Sequence, residues 1–188
     1  MTNASSSFRR LDERQIHQGY VISLVEARFV APDGAEFTRD VVRTPSAVAI
    51  VPVDRGADGR WEVVLVRQYR APLETVLVEI PAGMCDVDGE PVEETAQREL
   101  GEEAGYRARV VGPLAHYHPA PGFSDHRTTI LLGIGLDEVE RSTHGAEEDH
   151  MTVERIPLDD AVAMVEGGEI TDGKTALGVL LALRRLET

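Results

Sequence analysis

The tightest condition on how this chain can fold sits in residues 79–106, EIPAGMCDVDGEPVEETAQRELGEEAGY. Pro91 suits the start of a helix, Val92, Ala96, Leu100 and Ala104 recur every four residues, and Gly105 offers a C-terminal stop. The spacing predicts an amphipathic helix with its apolar stripe against a core. Positions i, i+3 and i+4 share a helix face, so Glu99, Glu102 and Glu103 are expected to converge opposite that stripe. Their repulsion costs roughly a few tenths of a kcal/mol per pair. Arg98, four residues after Glu94 and four before Glu102, relieves part of it. The remainder calls for bulk water or a cation.

Strands surround this helix. YVISLVEARFV (20–30) and AEFTRDVV (35–42), joined by the turn signal APDG, read as a hairpin. SAVAIVPV and WEVVLVRQYR form a second strand pair across DRGADGR, and TVLVEIPAG continues as one extended segment. Beyond the helix, RARVVGPLAHYHP, HRTTILLGIGL and MTVERIPL read as strands, separated by the loops APGFSD and STHGAEEDH. The end is helical: LDDAVAMVEGG carries a capping aspartate region and a glycine stop, and KTALGVLLALRRL has an apolar face with basic residues in its last turn. Strands and helices interleave without a βαβ rhythm, which predicts an α+β domain with a mixed, layered sheet.

The 188 residues suit one domain of ordinary size, or a domain with a small appendage. A formal net charge of -14 opposes any phosphate backbone, so nucleic acid is disfavoured as a partner. The same charge repels small anions unless metal ions or local arginines reverse the field. No apolar run has the length of a membrane span, so no membrane partner is expected. The opening MTNASSSF lacks the order of a signal peptide and reads as a frayed tail. The single cysteine, Cys85, cannot form an internal disulfide and fits a cytoplasmic location.

If a cation sits among the three glutamates, hard oxygen ligands favour Mg2+ or Mn2+ over zinc. A solvated acidic face is the alternative for any glutamate-rich helix taken alone. Arg98 before the first acid, Gly105 at the close and the PAG turn upstream shift the balance. The run RELGEEAGY, with Glu90 eight residues before Arg98, resembles the signature of the Nudix hydrolases. Two positions depart from it: six residues separate Gly83 from Glu90 where the family has five, and Tyr106 replaces an aliphatic residue. Neither removes a carboxylate.

The resemblance implies a Nudix-type α/β/α layered fold with a mixed central sheet at residues 46–188. It also implies an N-terminal antiparallel β extension at residues 1–45 that serves as a dimerisation element. It further implies hydrolysis of a nucleoside diphosphate derivative, with Mg2+ (or Mn2+ as substitute) held by Glu99, Glu102, Glu103 and the Ala82 carbonyl. Arg98 joins the catalytic group beside these acids. VLVRQYR, VEIPAGM and YHPAPGFSDHRTTILLG are similar to the ADP-ribose pyrophosphatase branch, whose marker proline is matched by Pro121, fifteen residues past Tyr106. On that likeness Arg70 holds a phosphate, while Gly83 and Met84 line the floor beside the terminal ribose. The general base comes from STHGAEEDH, with Glu148 the first choice and Glu147 the reserve. In a homodimer, Tyr20 would offer its ring to the neighbour's adenine and Arg39 a charge to the diphosphate. His116, His118 and His126 fit no zinc spacing and are assigned no catalysis.

The expected activity is Mg2+-dependent conversion of ADP-ribose to AMP and ribose 5-phosphate. The alternatives are the same chemistry on another nucleotide sugar such as GDP-mannose, and a non-catalytic nucleotide sensor. A sensor should have lost a helix carboxylate, and none is missing.

Overall fold

The structure, a computed structural model, describes residues 7–142 and 145–188. The first six residues of the expected frayed tail MTNASSSF, and residues 143–144 of the STHGAEEDH loop, lie outside them. The chain divides into two compact units: the part up to Pro45 with His118–Arg127, and Ser46–Tyr117 with Thr128–Thr188.

The first unit holds an antiparallel sheet of three strands in the order β1 (Arg9–Gln18), β2 (Ser23–Val30), β3 (Glu36–Arg43). The β2–β3 turn is the expected one, closed by Gly34 N donating to Ala31 O at 2.9 Å with Gly34 at φ +89°. Strand β1 is an addition to the expected hairpin, and residues 20–22 form a turn rather than a strand. RRLDERQIHQ has no apolar alternation to reveal it, because only Leu11 is even half-buried. Backbone pairing with β2 holds it instead, with Arg28 on Asp12 and Arg14 on Glu26 across the two strands. The 118–127 segment joins this unit through Val42 N donating to Phe123 O at 2.8 Å and Ser124 Oγ donating to Val42 O at 3.0 Å.

The second unit is built on a mixed sheet of seven strands. They are β4 (Ala47–Arg55), β5 (Trp61–Arg70), β6 (Thr75–Glu79), β7 (Ala82–Met84), β8 (Tyr106–Tyr117), β9 (Thr128–Glu138) and β10 (Thr152–Pro157). The order is β10-β5-β4-β9-β8, with β6 on β5 and β7 on β4; the β4–β9 pair is parallel. Its helices are α1 (Val92–Glu99), α2 (Ala146–Asp149), α3 (Leu158–Glu166) and α4 (Gly173–Leu186). Successive residues of β4 point to opposite faces. Val48 and Ile50 join Ala96, Leu100 and Ala104 in one core. Ala49, Val51 and Val53 join Leu158, Ala161, Val179 and Ala182 in the other. Helices therefore cover both faces of the sheet, giving the α/β/α layering. No described helix is long and apolar enough to cross a membrane.

Three local expectations are corrected. TVLVEIPAG breaks into β6 and β7, because the Pro81 carbonyl turns to accept Ile50 N at 3.0 Å. No side chain caps α3, whose N-cap is Pro157; the capping aspartate is Asp172, which accepts Thr175 N at 2.9 Å at the start of α4. The acidic helix is α-helical only as far as Glu99 and continues as a π-helical turn, Leu100–Ala104, that ends at Gly105 with φ +74°.

Candidate active site

The π-turn changes where the acids go. Leu100 and Ala104 stay in the core as the periodicity requires, but Glu103 is also drawn inside, at 4% exposure, rather than lying opposite the stripe. What draws it is the Ala82 amide, which donates to Glu103 Oε2 at 3.0 Å across the β7 edge. Burial pushes the Glu103 carboxyl up to about 8; the Ala82 hydrogen bond opposes this, the charges of Glu99 and Glu148 add to it, and Arg70 opposes it. Burial also raises Glu99, where the Arg98 charge works the other way and Glu102 and Glu148 reinforce the rise. Glu99, Glu102, Glu103 and Glu148 thus form one electrostatic cluster.

Arg98 holds the outer part of this cluster together. Its Nη1 donates to Glu99 Oε1 at 2.8 Å and to Glu102 Oε2 at 3.1 Å, while Nη2 reaches Glu90 Oε2 at 3.4 Å. Thr95 Oγ1 donates to the same Glu90 oxygen at 2.7 Å, which fixes Glu90 at the head of α1 and helps hold its carboxyl below the usual range. Gly83 leaves the Glu99 carboxylate its present place. A Cβ there would lie 2.1 Å from the Glu99 carboxylate.

The donor set fits a hard divalent cation. A carboxyl that is 4% exposed, flanked by two further carboxylates and given one neutral N–H donor, is pushed toward its protonated form, and a cation beside it would relieve that push. As the side chains stand, no group of three acids among the described residues closes tightly enough to hold an ion. Arg98 occupies Glu99 and Glu102.

Other expected residues fall as follows. Arg70, ending β5, donates to Glu79 through Nε and Nη2, both at 2.6 Å, and its charge reaches Glu103. Met84, on β7 opposite Ala47, is 37% exposed. Glu148 is half-buried and its charge is felt by Glu99 and Glu103, whereas Glu147 beside it is exposed. Tyr20 and Arg39 are not brought together within one chain. Tyr20 is fully exposed in the β1–β2 turn, next to the Ser23–Arg43 pair, and Arg39 pairs with Ala27 four positions further along, about 13 Å away at strand spacing. Arg39 lies 4.8 Å from the Phe37 ring centre and donates to Thr38 O at 2.7 Å. His118 and His126 contact main-chain carbonyls, of His126 and Pro45, at 3.0 Å each.

Sequence reasoning missed Glu79, Lys174 and Arg141. Glu79 had a signal, a lone carboxylate inside the apolar run TVLVEI, and it is 1% exposed. Lys174 had another, as the one lysine in the sequence. Arg141 had none; it donates to the carbonyls of Met151 at 3.1 Å and Glu148 at 3.4 Å, tying down the end of the loop that carries Glu148.

Comparison with known proteins points the same way. The model of the NUDIX domain matches residues 43–176. An ADP-ribose pyrophosphatase of Bacillus subtilis is 36% identical over 172 residues, covering 91% of this chain and 90% of that protein. An ADP-ribose pyrophosphatase of Mycobacterium tuberculosis is 37% identical over 177 residues, covering 94% of this chain and 84% of that protein. A solved structure described as an ADP compounds hydrolase superposes with a TM-score of 0.82 at 21% identity, covering 99% of this chain and 97% of that one, and so shares the fold.

Proposed function

The chain belongs to the NUDIX family, and from that membership we propose that it hydrolyses the diphosphate of ADP-ribose to AMP and ribose 5-phosphate, using Mg2+ with Mn2+ as a substitute. The observation that carries this reading is the buried Glu103, hydrogen-bonded to Ala82 and crowded by Glu99 and Glu148, beside Arg70. The names of the two bacterial relatives supply the substrate.

Bound Mg2+ supplies charge neutralisation and Lewis acidity at the diphosphate. Glu99, Glu102, Glu103 and the Ala82 carbonyl would hold it, with Arg98 giving up its two helix carboxylates in exchange. Arg70 orients a phosphate, its guanidinium plane set by the two bonds to Glu79. Gly83 and Met84 floor the ribose side. Glu148 takes the proton of the attacking water as a new P–O bond forms and the bridging oxygen leaves with the other phosphate. Glu148 is preferred to Glu147 because its charge already acts on Glu99 and Glu103. Arg141 steadies the loop that delivers it.

Tyr20 and Arg39 enter this proposal as contributions from a second copy of the chain, Tyr20 to adenine and Arg39 to the diphosphate. The full exposure of Tyr20 leaves its ring available for that contact. A monomeric mass in solution at micromolar concentration would remove both residues from the site.

The test is product analysis with ADP-ribose, GDP-mannose, NADH and diadenosine polyphosphates, with and without Mg2+. ADP-ribose should turn over fastest, only with the cation, giving AMP and ribose 5-phosphate. Equal rates across the panel would remove the substrate assignment, and cation-independent turnover would remove the mechanism.

A further inference from the structure

Where β5, β6 and the start of α4 meet, four charged side chains form a closed network. Glu79, 1% exposed, receives Arg70 on both oxygens at 2.6 Å, and Lys174 Nζ donates to its Oε2 as well. Lys174 also donates to Asp172 Oδ2 at 3.0 Å. That Asp172 oxygen accepts Thr175 Oγ1 at 2.6 Å, and the same hydroxyl oxygen accepts Ile80 N at 2.9 Å. The network thus runs from Arg70 to the turn that leads into Ala82.

Glu79 alone would neutralise Arg70 and leave it little field to offer an anion. A second cation on the same carboxylate changes that. Two cations and two carboxylates make the corner neutral; without Lys174 it carries a net negative charge beside Glu103, whose own carboxylate interacts with Arg70. Buried charges act over longer distances than exposed ones because water and salt screen them less. A compact ammonium with three donors can serve Glu79 and Asp172 at once, where a planar guanidinium would have to choose a geometry. This gives a reason for lysine at the one position where the chain does not use arginine.

We propose that Lys174 is a positioning residue for the diphosphate: by sharing Glu79 it keeps the corner around Arg70 neutral instead of net negative toward the substrate, and through Asp172 and Thr175 it fixes the Ile80–Ala82 turn. The inference rests on the reading of Arg70 as a phosphate ligand in an ADP-ribose hydrolase.

The experiment compares wild type, Lys174→Met and Lys174→Gln. Binding of ADP-ribose and of adenosine is measured calorimetrically in EDTA, KM and kcat with Mg2+, and melting temperature throughout. Both variants should weaken metal-free ADP-ribose binding and raise KM by about tenfold, the effect of one lost charge at close range, with adenosine binding unchanged and kcat within about twofold. Glutamine keeps a hydrogen bond to Glu79 without the charge, and it carries the test if the methionine variant does not fold. Glutamine with wild-type KM would overturn the proposal, and so would equal weakening of ADP-ribose and adenosine. Absence of ADP-ribose turnover by the wild type would refute the assigned function; wild-type turnover with an unmoved KM in Lys174→Gln refutes this inference alone.

Discussion

Glu103 accepts the amide proton of Ala82, 21 residues away in sequence, at 3.0 Å, and this bond ties the acidic helix to the strand edge that faces it. The bond is weak compensation for burying a carboxylate, so burial raises the side chain's pKa.

Stability should therefore fall with rising pH in the metal-free protein. Glu103 is raised from 4.5 to about 8 in the fold, so between those values the folded state binds the extra proton. Its contribution is fully present below about pH 4.5 and is lost as pH climbs through 8, at up to roughly 1 kcal/mol per pH unit. Melting in EDTA from pH 5 to 8.5 should show a declining Tm, with Mg2+ raising Tm far more at pH 8 than at pH 6. Glu103→Gln should flatten the curve and abolish the Mg2+ effect. A pH-independent Tm in the wild type would contradict the burial argument.

Gly83→Ala should separate stability from activity. The new Cβ meets only the end of the flexible Glu99 side chain, so the fold loses little, on the order of 1 kcal/mol. The displaced carboxylate can no longer reach a shared cation, and kcat should fall about a hundredfold or more, with a higher Mg2+ requirement. Thermal melts and Mg2+ titrations of activity check both parts.

The two loop glutamates should differ sharply. Glu148→Gln should lower kcat by about a hundredfold or more with KM little changed, as expected for loss of a general base. Glu147→Gln should stay within about threefold of wild type, since Glu147 is exposed. Comparable losses at both positions would show that neither is uniquely the base.

Leu100, fully buried at the junction of α1 and the π-turn, anchors the segment that sets Glu103 inward. Leu100→Ala should cost roughly 3 kcal/mol of stability and weaken Mg2+ activation, whereas Leu100→Met should do little of either. Urea melts and Mg2+ titration of activity distinguish the two.

The layers of the fold were legible because burial imposes periodicity. Alternation in β4 and the four-residue stripe from Val92 to Ala104 are direct consequences of apolar faces needing partners. β1 was not legible, since its pairing relies on backbone bonds and exposed ions that leave no apolar pattern. The identity of the acidic cluster was visible in RELGEEAGY, but the inward turn of Glu103 was not. The π-turn and the contact of Glu103 with Ala82, 21 residues away, leave no mark in helix periodicity. Glu79 and Lys174 lie 95 residues apart, and no local spacing could pair them.

Glu103, Glu99 and Glu102 are expected to clamp a divalent cation for diphosphate cleavage. The most direct measurement is titration of Mn2+ into metal-free wild type and Glu103→Gln, each with a non-hydrolysable ADP-ribose analogue, counting bound ions by electron paramagnetic resonance. Saturable Mn2+ sites in the wild type, with at least one lost in Glu103→Gln while the analogue still binds, is the predicted result. Equal Mn2+ binding by both proteins would contradict it.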